Sequence, residues 1–210
     1  MPTVVATCTG TVEEFEHNGR AGTTAIRKSA VADGVQITVE GVDGDQIANP
    51  DSHGGPLKTV YAYGADDLAF WERQLGRALV PGSFGENLLV EGLDVSQAKP
   101  GERWRVGEAL LEVTTIRTPC WKLAWAMGED NFERRFQQAA RPGAYLTVVE
   151  EGAVVPGDEL RVVRSRMDHE ITLRALANAY HNDRRQRQAI LDEVDVLPPA
   201  VAAAVVLLFG

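Results

Sequence analysis

The sequence predicts a mainly β domain with peripheral helices, closed as a β-barrel and followed by a small three-helix module. Three observations carry that expectation. Short runs rich in Val, Leu and Thr, broken by Gly, Pro and Asp turns, dominate the chain up to residue 165. Two segments, Lys99-Pro-Gly-Glu-Arg-Trp-Arg-Val106 and Val155-Pro-Gly-Asp-Glu-Leu-Arg-Val162, share a Pro-Gly turn feeding a strand with Arg on one face. Beyond Arg166 the pattern turns helical, which divides the chain into residues 1–167 and 168–210.

Taken in order, the strand candidates are residues 35–39, 59–63, 87–90, 103–106, 110–116, 144–149 and 159–163. Two helices interrupt them. Residues 65–75 place Leu68, Trp71 and Leu75 on one stripe, with Asp66 or Asp67 as N-cap and Gly76 as stop. Residues 131–140 place Phe132 and Phe136 four apart, with Asp130 and Glu133 as a capping box and Pro142-Gly143 beyond the end. These aromatics read as core. The tail reads as three helices, 172–180, 183–193 and 198–209, opened by Thr, Asp and Pro signals. The basic run Arg184-Arg185-Gln186-Arg187 reads as a solvated helix face, with a patch for an anionic substrate or partner as the alternative.

Composition bounds the function. The chain has 210 residues, 44% apolar and 24% charged, with a formal net charge of −9. That length suits one core-forming domain with an appendage. The acid excess argues against a nucleic-acid binder. Two cysteines, Cys8 and Cys120, cannot build a disulfide framework, a four-cysteine zinc site or an iron–sulfur cluster. The start lacks a basic n-region and an apolar h-region, so no signal peptide is expected. The apolar run from Ala200 to Phe209 is about half of the ~20 residues that a membrane helix needs. The expectation is a cytoplasmic, soluble protein without membrane or nucleic-acid partners.

Three segments carry chemistry. In Asp51-Ser52-His53-Gly54-Gly55-Pro56-Leu57-Lys58, adjacent glycines let backbone N–H groups converge on an anion, and His53 and Lys58 add donors or charge. A plain Gly-Gly turn beside a surface His explains the same residues. In Pro81-Gly82-Ser83-Phe84-Gly85-Glu86-Asn87-Leu88, Glu86 and Asn87 at a strand mouth can position a polar ligand or close the turn themselves. In Thr114-Thr115-Ile116-Arg117-Thr118-Pro119-Cys120-Trp121-Lys122, a proline stops the strand, leaving Cys120 at its end between Arg117 and Lys122. Neighbouring cations favour a thiolate, which is a nucleophile and a soft metal ligand. Cys8 has no such company and reads as structural. A hydrolytic Cys120–His53 pair is conceivable, although no third orienting group is legible. The histidines show no metal spacing, and the chain has neither GxGxxG nor a P-loop.

Together these segments resemble the MOSC family, named for the C-terminal domain of molybdenum cofactor sulfurases, and most of all its stand-alone YiiM-like branch. The resemblance runs from about Gly22 to Arg164 in the family's order. Thr24-Ala25-Ile26-Arg27-Lys28, Gly41-Val42-Asp43-Gly44-Asp45-Gln46, His53-Gly54-Gly55, Phe84-Gly85-Glu86-Asn87-Leu88 and Arg117-Thr118-Pro119-Cys120 carry it. Ala48-Asn49 and Pro56-Leu57-Lys58 depart from the commoner Ala-Asp and Pro-Asp-Lys. The tail resembles the three-helix module of that branch.

The resemblance implies a MOSC-type β-barrel that binds the molybdenum cofactor, with Cys120 as metal ligand. Lys28, Arg117 and the amides of His53, Gly54 and Gly55 are candidates for holding the cofactor's phosphate, and Lys58 and Asn87 join them at the site. The implied activity is reduction of N-hydroxylated compounds, hydroxylaminopurine-like or amidoxime-like, to amines. His53, Lys58 or Glu86 would deliver the proton. A non-catalytic carrier of the cofactor or its sulfur is the alternative. Lacking cluster-forming cysteines and a dinucleotide fingerprint, the chain is expected to need a separate electron-donating reductase. The oligomeric state stays open, a homodimer included.

Overall fold

The computed structural model describes residues 1–164 and 167–209. Thirteen strands are named among them. They are β1 (Thr3–Thr9), β2 (Glu13–His17), β3 (Arg20–Thr24), β4 (Ser29–Ala30), β5 (Val35–Thr38), β6 (Gly41–Val42), β7 (Val60–Gly64), β8 (Leu88–Glu91), β9 (Arg103–Val106), β10 (Ala109–Val113), β11 (Ala144–Glu150), β12 (Gly152–Val154) and β13 (Leu160–Arg164). The helices are α1 (Pro50–His53), α2 (Ala65–Leu75), α3 (Trp121–Met127), α4 (Phe132–Ala139), α5 (Leu173–Ala177), α6 (Arg185–Asp192) and α7 (Pro199–Phe209).

An eight-stranded mixed sheet runs β13-β9-β10-β11-β7-β8-β1-β4. It curls until β1 meets the strand at its far end: Val4 N–H donates to Asp158 O at 2.9 Å and Leu160 N–H to Pro2 O at 2.9 Å. The two similar Pro-Gly segments become neighbours, because β9 and β13 pair antiparallel with Trp104 opposite Val162. Their glycines, Gly101 and Gly157, have φ of +87° and +97°, a region where a Cβ would be strained. Two small sheets, β12-β5-β6 and the β2-β3 hairpin, complete the strands.

Period-2 alternation assigns the sheet's faces to two apolar clusters. Along β7, Val60 and Ala62 join the barrel interior, whereas Tyr61 and Tyr63 join an aromatic cluster under α2, α3 and α4. Trp71, Phe84, Phe132 and Phe136 fill that second cluster, so the aromatic spacings belong to the core. The β7-to-β8 pairing is parallel. Parallel neighbours require a crossover, and α2 supplies it. The return loop from that helix delivers Asn87 to the mouth of β8.

Several local expectations are corrected. The N-cap of α2 is Gly64, and neither Asp66 nor Asp67 caps it. Asp67 is buried instead, bonded to Arg141 and within 3.4 Å of Ser96 Oγ. The N-cap of α4 is Asn131 with no side-chain bond, so the capping box is not formed; Asp130 accepts from Asn18 at 3.1 Å. Periodicity missed β1, the β2-β3 hairpin and α3. The hairpin does carry a turn signal in Asn18-Gly19, both at positive φ.

The tail packs onto the barrel. Ile171, Leu173, Leu176, Val201 and Val205 belong to the same apolar cluster as Trp104 and Leu111. Leu173 N–H donates to Ala98 O at 2.9 Å, and Arg174 pairs with Asp94 at 3.2 Å. Thr172 caps α5 through a 3.1 Å bond from Ala175 N–H, as the sequence suggests. The step between barrel and tail includes Ser165 and Arg166, which lie outside the described residues. No helix among the described residues is long and apolar enough to cross a membrane.

Candidate functional site

A cleft opens beside the parallel β7-β8 pair. Its lining includes Lys28, Asp45, His53, Lys58, Tyr61, Asn87, Arg117, Cys120, Lys122 and Tyr145. Thus six of the nine expected site residues converge from separate parts of the chain with their side chains at one cleft or its wall: Lys28, His53, Lys58, Asn87, Arg117 and Cys120. Four cationic side chains face it against one carboxylate, in a chain whose net charge is −9. That local inversion of sign suits an anionic ligand.

Cys120 stands half-buried at the N-cap of α3; the strand expected to run into Pro119 ends earlier, with β10 at Val113, and residues 114–120 link it to the helix. Its side chain makes no capping bond, which leaves the sulfur available to the cleft. Cys8 differs in environment: it is fully buried in the aromatic cluster, and burial pushes its thiol up to about 12. A thiol held protonated that firmly is core, as expected.

Arg117 is buried, donates through Nη1 to Phe84 O and lies 5.2 Å from the Tyr61 ring centre. Lys58 is half-buried, 6.0 Å over the Tyr145 ring, and burial lowers its pKa. Burial also lowers His53, with Lys122, Arg117 and Lys58 adding to the shift, down to about 4. His53 is therefore a neutral imidazole at pH 7.

Three expected roles change. Glu86 is not at the cleft. It is fully buried, and its carboxylate accepts from Gly82 N–H at 2.6 Å and Phe84 N–H at 2.9 Å. It closes its own loop, and with no route to the cleft it cannot serve as the proton donor. Lys28 forms an ion pair with Asp45, so its charge is largely offset before any anion arrives. The nest of amides is also mostly spent: His53 N–H donates to Asn49 O and Gly54 N–H to Pro50 O, both at 2.9 Å, within α1. Gly54 and Gly55 do not line the cleft.

Asn87 lines the cleft as a brace. Its Oδ1 accepts from Tyr61 N–H at 3.1 Å, and its Nδ2 donates to Asp45 at 2.9 Å and Cys8 O at 3.2 Å. Asp45 also accepts from Gly10 N–H at 2.8 Å. Sequence reasoning quoted Asp45 within a motif but gave it no role. It likewise passed over Tyr61 and Tyr145, whose strand positions read only as alternation.

Among the described residues, no group of three or more His, Cys, Asp or Glu could hold a metal ion. A single thiol is a poor metal site alone but suits a metal whose other ligands come from an organic cofactor. The donor set therefore fits a molybdenum pterin: one soft sulfur, with Arg117, Lys122 and Lys58 near it for a phosphate.

The family model that matches is the MOSC domain, over residues 49–161, more than half of the chain. The chain belongs to the MOSC family. YflK of Bacillus subtilis (strain 168) is 35% identical over 181 residues, covering 86% of this chain and 81% of that protein. YiiM of Escherichia coli (strain K12) is 31% identical over 160 residues, covering 75% and 71%. The crystal structure of YiiM from Geobacillus stearothermophilus superposes with a TM-score of 0.77 over 100% of both chains at 24% identity. This MOSC protein thus has the fold and branch that its motifs imply, and MOSC domains are associated with molybdenum cofactor binding.

Proposed function

We propose that this MOSC protein is a molybdenum-cofactor-dependent oxidoreductase that reduces N-hydroxylated compounds to amines. The observation that carries the reading is the cleft's composition: one half-buried thiol with Lys58, Arg117 and Lys122 beside the Lys28–Asp45 pair, in an acidic protein with no protein-built metal cage among the described residues. Cys120 supplies the metal's protein ligand. Arg117 and Lys122 hold the cofactor's phosphate by charge, and the Tyr61 and Tyr145 rings, 5.0 Å apart, wall the cleft. When bound, the cofactor supplies a two-electron redox centre at which an N–O bond can be cleaved.

The remaining chemistry belongs to the chain. Two electrons and two protons convert an N–OH group to an N–H amine and water. Among the expected proton donors, Glu86 is sealed in its loop and His53 carries no extra proton at pH 7. Lys58 is the group that fits, because partial burial makes its ammonium more acidic than that of an exposed lysine. The electrons come from a separate reductase, since the chain's two cysteines cannot form a cluster and it has no dinucleotide fingerprint.

The test is molybdenum and pterin content after loading with mature cofactor, wild type beside Cys120→Ser, followed by turnover of an amidoxime and a hydroxylaminopurine. Near-stoichiometric metal in wild type, little in the variant, and amine formation are expected. Metal retention in both proteins would refute Cys120 as the ligand. Retention without turnover would favour a carrier.

A further inference from the structure

Several arginines of this protein face carboxylates: Arg103 with Glu112, Arg105 with Glu150, Arg161 with Glu159 and Arg174 with Asp94. The face over α3 is different. Arg20 lies 4.2 Å over the Trp121 ring and Arg27 lies 3.7 Å over Trp125. Both arginines are exposed, and among the described residues neither forms an ion pair. Beside Arg27 is a hollow of about 210 Å³, floored by Leu79, Ala126 and Met127 and flanked by Arg77. That volume accommodates one large side chain of a partner.

Arg20, Arg27 and Arg77 carry the positive charge of this face. Strand alternation puts Glu13, Phe15, His17 and Arg20 on the hairpin side facing α3, with Glu13 at the end of the strand away from Arg20, while Glu14 and Glu16 point to the other side. Asp130, at the edge, is engaged by Asn18 at 3.1 Å and His17 at 3.5 Å. Trp and Arg are the side chains that dominate binding energy at protein interfaces. A guanidinium already laid on a ring loses little freedom when it meets a carboxylate. Trp121 also adjoins Cys120 in the chain, so a protein docked here stands next to the proposed metal ligand.

We infer that this face, with Arg20 and Arg27 on Trp121 and Trp125 and the hollow beside Arg77, docks an electron-donor protein whose redox group is ringed by carboxylates. The inference rests on the oxidoreductase reading above. Opposite charge steers the encounter, and the hollow anchors one apolar side chain of the donor.

The experiment uses cofactor-loaded full-length protein with fully reduced flavodoxin, an acidic flavoprotein, as donor, and reduced methyl viologen as a small carrier needing no docking. With flavodoxin, the wild-type rate falls as salt is added. The Arg20→Glu/Arg27→Glu variant loses about tenfold or more at low ionic strength, while its methyl viologen turnover matches wild type. Arg184→Glu/Arg185→Glu changes net charge equally on the tail and stays within about twofold of wild type. Arg20→Gln/Arg27→Gln gives an intermediate loss and replaces the reversal variant if that one fails to fold. The inference is overturned if the Arg20/Arg27 variants slow no more than the tail variant, or if methyl viologen turnover falls in parallel. If wild type turns over with neither donor, the oxidoreductase reading fails. Flavodoxin affinity of the same variants, by calorimetry, then decides the docking face separately.

Discussion

Glu86 shows how one residue type at one spacing can serve opposite ends. As an acid at a strand mouth it could have moved a proton. In the structure its two oxygens take the Gly82 and Phe84 amides, and the same loop offers Phe84 O to Arg117. Glu86→Gln would set an NH₂ group against one of those amides. A buried unsatisfied donor costs about 1–3 kcal/mol, so a lower melting temperature and weaker cofactor retention through a displaced Arg117 are expected. His53 gives a pH prediction. Its pKa falls from 6.5 unfolded to about 4 folded, so between these values the unfolded chain binds more protons. Its contribution is present above pH 6.5 and lost as pH falls towards 4. The stability difference between wild type and His53→Gln should therefore shift against wild type between pH 7 and pH 4.5, measured by denaturant unfolding. Taking the difference cancels the carboxylates that titrate in the same range.

At the scale of elements, local signals succeeded where the backbone itself sets the geometry. Gly76 stops α2 at φ +65° and Thr172 caps α5, because these needs are met within a few residues. They failed where tertiary partners claimed the side chain: Asp67 went to Arg141, and Asp130 to the hairpin. Thr172→Ala should thus destabilise by about 1 kcal/mol, whereas Asp66→Ala, at an exposed site that caps nothing, should be near neutral. Paired thermal melts of the two variants check this. The Cys120 segment illustrates a further limit. Its proline reads as the end of a strand, yet β10 stops at Val113, and α3 is only seven residues long and too short for periodicity to reveal.

For the molecule as a whole, the tail is part of the barrel's packing. Removing residues 168–210 would strip Leu173, Leu176, Val201 and Val205 from the apolar cluster that contains Trp104. Fully burying each such side chain is worth about 1.5–3 kcal/mol, so the truncated chain should aggregate or lose cooperative unfolding, as read by size exclusion and melting. A folded, fully active product would make the tail an independent appendage. The charge of the whole molecule and that of its cleft differ in sign: the chain carries −9, while the cleft lining holds four cations and one carboxylate.

The sequence by itself determined the strand-rich class, most strand positions, the two long aromatic helices and the branch of the MOSC family. Those follow from local conformational preference, alternation and short motifs, which are properties of contiguous residues. Only the tertiary structure decided which motif residues face the cleft. It turned Glu86 inward, coupled Lys28 to Asp45, spent the His53 and Gly54 amides within α1, and brought Tyr61, Tyr145 and Lys122 into the lining. Side-chain roles depend on partners distant in the chain, and a buried polar group goes to whichever partner satisfies it. The spacing of residues along one segment does not encode that partner.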